Sequence, residues 1–116
     1  MRQVVFYRTG SGRCPVTEFL DALDPRSAQK VSWVLQLVEE LDEVPVQYFK
    51  KLTGSDGIWE VRARSGGNTY RVLGFLDGDR LVVLNHAFHK KTRKTPQSDI
   101  RKAEHRKRDY LARKNS

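Results

Sequence analysis

At 116 residues and 38% apolar side chains, the chain suffices for one domain with a modest core, and its length excludes two domains of ordinary size. Its single cysteine, Cys14, excludes an intrachain disulfide and any cysteine-rich zinc site. The net charge of +8 is unevenly placed: residues 1–85 balance 11 Lys/Arg against 11 Asp/Glu, whereas residues 86–116 set 11 Lys/Arg against only Asp99, Glu104 and Asp109. Clustered cations gain affinity by releasing counterions from phosphates, so the asymmetry points to a polyanionic partner. The plainer alternative is a solvated basic tail.

In chain order, Gln3–Tyr7 is β-branched and aromatic and predicts a first strand, closed by the turn-rich Thr9-Gly10-Ser11-Gly12-Arg13. Pro15 opens a short helix whose apolar face is Val16, Phe19, Leu20 and Leu23. Asp24-Pro25 caps a second helix running to about Leu41, with Ala28, Val31, Val34, Leu35, Val38 and Leu41 as a core-facing stripe. Pro45 breaks that helix, and a loop containing Lys50-Lys51-Leu52-Thr53-Gly54 leads to Ile58. Three strands are predicted next, Ile58–Arg64, Thr69–Leu76 and Arg80–Phe88. Gly-rich connections at 65–68 and 77–79 suit positive φ and make the three an antiparallel meander.

Thr95 as the cap and Pro96 at the first helical position start a basic C-terminal helix with a thin stripe of Ile100, Ala103, Tyr110 and Leu111. The order β-α-α-β-β-β-α, in a single domain spanning 1–116, predicts a small two-layer α+β fold. Its mostly antiparallel sheet carries the helical hairpin on one face and leaves the other open. No 18-residue apolar run and no signal-peptide core occurs, so a cytoplasmic protein with no membrane contact is expected.

Strand alternation places Trp59, Val61 and Ala63 on the covered face and Glu60, Arg62 and Arg64 on the open one. Tyr70 and Arg71 point oppositely. In the last strand Val82, Leu84, His86, Phe88 and Lys90 share one side, and Leu81, Val83, Asn85, Ala87, His89 and Lys91 the other; periodicity leaves open which side meets the helices. Arginines on an open face form a cationic surface, because the guanidinium fork matches phosphate. For any single strand arginine the structural alternative is a cross-strand ion pair, here with Glu60 or Asp79. Phe88 is placed to stack on a base or to pack in the core. His86 and His89, three apart on a strand, fall on opposite faces and form no metal pair, and Gly10-Ser11-Gly12 lacks the remainder of a phosphate-binding loop.

The segments Ile58-Trp59-Glu60-Val61-Arg62 and Asn68-Thr69-Tyr70-Arg71-Val72 resemble the RelE superfamily. The run from Leu84 through Phe88-His89-Lys90-Lys91 to Thr92-Arg93-Lys94-Thr95-Pro96 is similar to its phage-related HigB-like branch. Lys50-Lys51-Leu52 fits the loop before the first of those strands. The resemblance implies a RelE-like fold and a toxin of a type II toxin–antitoxin pair, cutting mRNA in the ribosomal A site without metal or cofactor. Its implied partner is a helix-turn-helix antitoxin, through which it oligomerises. By matching position the resemblance implies that Arg62, Arg71, Lys90 and Lys91 serve the chemistry. The need for a proton-transfer group adds His89, and the basic pattern offers Lys50, Lys51, Arg64, Phe88, Arg93, Lys94 and Arg101 as RNA-holding candidates. Some relatives use an aromatic hydroxyl near the C-terminus; Tyr110 instead lies on the packing stripe. The competing readings are a non-catalytic RNA- or DNA-binding module and an inactive partner-binding subunit.

Overall fold

The computed structural model describes residues 1–89 and 93–115. Lys90 and Lys91 therefore lie outside the described residues. The elements are β1 (Gln3–Phe6), α1 (Pro15–Asp21), α2 (Pro25–Glu40), β2 (Phe49–Lys51), β3 (Ile58–Ser65), β4 (Asn68–Asp77), β5 (Leu81–His89) and α3 (Gln97–Lys114). They build an α+β domain around one five-stranded mixed sheet in the order β1-β5-β4-β3-β2, with β1 parallel to β5 and every other pair antiparallel.

Local chemistry accounts for the element boundaries. The Asp24 carboxylate accepts from the Ser27 amide at 3.1 Å and Pro25 occupies the first turn, so α2 starts where the sequence predicts. Gly66 and Gly67 both take positive φ between β3 and β4, the primed turn that matches strand twist, and Gly78 does the same before β5. At α3 the expected cap is corrected. Pro96, not Thr95, is the capping residue, because the Thr95 hydroxyl is committed to the Glu60 carboxylate at 2.5 Å.

Val16 of α1 and Val31, Val34, Leu35 and Val38 of α2 pack on Val61, Ala63, Tyr70, Val72, Val82 and Leu84, one face of the sheet. The expectation of an open second face, and hence of two layers, is corrected. Ile100 and Ala103 of α3 pack on Leu52, Ile58 and Leu73, while Tyr110 and Leu111 pack against Tyr7, Phe75 and Val83. That face carries too much apolar surface to be left to water, and the thin stripe of α3 is wide enough to cover it. The sheet is thus sandwiched between helices. A second correction concerns the loop at 50–52, where Phe49–Lys51 forms a short edge strand. Phe49 is buried, pairs with Val61 and stacks on Trp59 at 4.7 Å. Among the described residues no helix is long and apolar enough to cross a membrane.

A β-bulge decides what β5 presents. Leu73 pairs with His86 but the next residue, Gly74, pairs with Leu84, which leaves Asn85 as the extra residue. Asn85 and His86 both turn toward α3: the Asn85 amide donates to the Ala103 carbonyl at 2.9 Å, and His86 Nε2 lies 2.7 Å from Asp99 Oδ1. Strict alternation therefore fails at this point. Val82 and Leu84 face α1 and α2, whereas His86 and Phe88, expected beside them, face α3. Gly74 makes the bulge possible, since a Cβ there would collide with the Val83 carbonyl oxygen.

Candidate nucleic-acid interface

Across β3, β4 and β5 the register sets Arg62 opposite Arg71 and Arg71 opposite Phe88, a single row on the α3 side of the sheet. The row lies where the segment before α3 crosses back over the strands. Arg71 Nη2 donates to the Arg93 carbonyl at 3.0 Å, and Arg62 Nη2 reaches the same oxygen at 3.5 Å. One backbone acceptor thus gathers both guanidinium groups and leaves the Arg93 side chain exposed.

The two arginines sit at different depths. Arg71 is 2% exposed and Glu60, diagonally across the strand pair, is 1% exposed, with Arg71 Nε 3.6 Å from Glu60 Oε1. Burial pushes the Arg71 pKa down, Glu60 holds it up, and the neighbouring Arg62 pushes it down again. A guanidinium nonetheless keeps its charge. The expectation that Arg71 looks out from an open face is corrected: it lies under the 93–95 segment, and the ion-pair alternative with Glu60 is what forms. Arg62 is only half-buried. Arg71 is offset by Glu60 while the Arg62 guanidinium reaches only the Arg93 carbonyl among the described residues, so the row carries a net positive charge.

The other expected site residues divide around this row. Lys50 pairs with Glu60 and shares its face, and is exposed. Together with Arg93, Lys94, Thr95 and Ile100 it lines a cleft of about 340 Å³ beside the start of α3. Lys51 pairs with Trp59 and turns to the opposite face. Arg64 is exposed two residues beyond Arg62, and Arg101 is exposed on α3 outside the lining of that cleft. Phe88 is half-buried, with its ring stacked on His86 at 5.4 Å, so one ring face is already used. His89 is not brought to the arginines. It faces away from them, against Tyr70 at 5.1 Å, with Nε2 3.1 Å from Asn68 Oδ1.

Sequence reasoning missed the cluster that the bulge creates. His86 is 8% exposed, with Asp99 at Nε2 and Arg106 Nη1 3.5 Å from Nδ1. Arg106 also donates to the Asn85 carbonyl at 2.8 Å, tying α3 to the bulge. Burial pulls the His86 pKa below its ordinary value; Asp99 opposes this, and Arg106 and Lys102 reinforce it. A glycine inside a strand run was the available signal, for Gly74 marks a bulge and a bulge re-aims a side chain. Among the described residues no group of three His, Cys, Asp or Glu side chains comes together in a way that could hold a metal ion.

The family described as phage-derived protein Gp49-like (DUF891) matches the chain over residues 18–108, from α1 through most of α3. No curated protein matches the chain.

Proposed function

The chain belongs to the phage-derived Gp49-like family, a RelE- and toxin-like family, and from that membership we propose that it is the HigB-like toxin of a type II toxin–antitoxin pair, cutting mRNA on the ribosome. The observation that carries this reading is the Arg62–Arg71 row. Like charges directly opposite on neighbouring strands cost stability, and among the described residues only one of the two is offset by a carboxylate. A site held in that state gains most from an anionic ligand.

In this reading the RNA 2′-OH attacks its own phosphorus, forming the 2′-O–P bond and breaking the P–5′-O bond. The products are a 2′,3′-cyclic phosphate and a free 5′-hydroxyl. The half-exposed Arg62 contacts the non-bridging oxygens as charge builds in the pentacoordinate transition state. Arg71 acts as a positioning residue, holding the Arg93 carbonyl and, through it, Arg62. Lys50, Arg93 and Lys94 hold flanking phosphates. Lys90 and Lys91 are the candidates for proton transfer, for His89 faces away from the row. No metal or cofactor is invoked. The partner is a helix-turn-helix antitoxin that covers the cationic row and mediates oligomerisation, and the compartment is the cytoplasm.

The orientation of His89 favours a second reading, a non-catalytic RNA-binding module in which Arg62 only positions phosphate. Cleavage of mRNA on programmed ribosomes separates the two. Loss of one preorganised donor typically costs about 10²–10³ in kcat, so Arg62→Ala is expected to lose that much rate with little change in binding. A chelator should leave the rate unchanged, and a 2′-O-methyl group at the scissile nucleotide should abolish it. Intact transcripts with wild-type protein would establish the binding module instead.

A further inference from the structure

Beyond the end of β2, which pairs with β3 only as far as Val61, the β3 edge meets the outer flank of α2. Lys30 and Trp33 lie one helical turn apart there, off the apolar stripe. Trp33 is 43% exposed, a large apolar surface to leave in water without use. Lys30 Nζ stands 4.3 Å from its ring centroid, and Tyr48 meets it edge-on at 5.7 Å. Two hollows of about 480 and 340 Å³ adjoin here and share Lys30 and Arg64. The first is completed by Arg26 and Trp33, the second by Tyr48 and Arg62. Among the described residues four cations and two aromatic rings line the pair, and no carboxylate does.

We propose that this groove is a binding site for single-stranded RNA, seating one unpaired base against Trp33 and the adjoining phosphates against Arg26, Lys30 and Arg64. Stacking on an exposed aromatic accepts any base, and the flanking cations track the backbone; together they are how sequence-tolerant single-strand sites are built. The cation–π contact with Lys30 keeps the indole uncovered by apolar neighbours and is displaced when the ammonium moves to a phosphate. An acidic peptide would satisfy the charges but leaves the paired aromatics without a purpose. Continuity also favours RNA, since Arg62 lines the groove and belongs to the Arg62–Arg71 row. A strand whose phosphate sits at Arg62 runs directly into it. The inference rests on the proposed function for its class of partner, not for cleavage.

The test is binding of a 2′-O-methyl decanucleotide, which the proposed chemistry cannot cut, followed by anisotropy over a range of salt concentrations. Trp33→Ala should weaken binding about tenfold and leave the salt dependence unchanged, because stacking releases no counterions. Arg64→Glu should weaken binding and make the slope of log K against log salt shallower by about 0.7. Both positions are exposed, and unchanged thermal melting confirms that each variant folds. Wild-type affinity in both variants overturns the groove. So does an acidic decapeptide that binds as tightly as the RNA and loses affinity in the same variants. Binding that follows this pattern in a protein that cuts no transcript would sustain the groove while defeating the nuclease reading.

Discussion

Arg71 and Glu60 show how one side chain can be indispensable without touching a ligand. Each is almost wholly buried, and each is the other's compensation. Removing one partner of such a pair strands a charge in the core, at a typical cost of about 3–5 kcal/mol. Arg71→Ala is therefore expected to unfold at markedly lower urea, and the Glu60→Leu/Arg71→Met double variant to recover much of that loss. Equal losses in the single and double variants would remove the ion pair from the account. Arg62→Ala should behave differently, since it is half-exposed and its removal relieves a like-charge contact; its stability should stay near that of the wild type while its activity falls. The pairing with Glu60 was open to inference as the ordinary alternative for a strand arginine. The difference in depth was not, because alternation assigns a face but not a place in the sheet. Arg71 lies on β4, flanked on both sides, and Arg62 on β3 just past the end of β2.

Among the elements, β5 is where a local rule gave the wrong answer and the reason is physical. Turn chemistry announced both hairpins through Gly66, Gly67 and Gly78, and Pro15 and Pro25 marked the starts of two helices. The three-residue β2 carries two lysines and too few residues for any periodicity. Alternation grouped the β5 side chains without assigning a face, and the bulge at Asn85 split those groups, parting His86 and Phe88 from Val82 and Leu84. Gly74→Ala tests the bulge directly, since its Cβ would collide with backbone that no side chain can move. Overpacking of this kind costs about 1–3 kcal/mol or more, to be read as a lowered melting temperature. The His86 cluster on the same bulge gives α3 a pH dependence. Its folded pKa lies below the ordinary 6.5, so the unfolded chain binds more protons. Stability is then fully present above about pH 6.5 and declines as pH falls from there toward the folded value. Melting between pH 7.5 and 5.5 should show this decline, and His86→Gln should flatten it. The carboxylates of Asp24, Asp77 and Asp109, held low by hydrogen bonds from Ser27, Lys114 and Tyr7, lose their contribution only as pH falls through the carboxylate range near 3.8.

For the molecule as a whole, α3 is both the basic surface and a structural layer. Truncation before Thr95 would strip the sheet of Ile100, Ala103, Tyr110 and Leu111, so it is expected to yield unfolded or aggregated chain, visible as lost cooperative melting. The electrostatic contribution is better read from intact protein. If three or four phosphates are neutralised, log K for single-stranded RNA should fall with log salt at a slope of about −2 to −3, and a flat response would refute the cationic surface. The same architecture has a consequence for synthesis. β1 is made before β5, its one sheet partner among the described residues, so Gln3 waits for Leu81. At about 5–20 residues per second that wait lasts on the order of 4–16 s, during which a β-prone Val-Val-Phe-Tyr segment has no neighbour in its own sheet. Newly made chains are thus most open to wrong pairing at their first strand, and the last third of the sequence is what closes that interval.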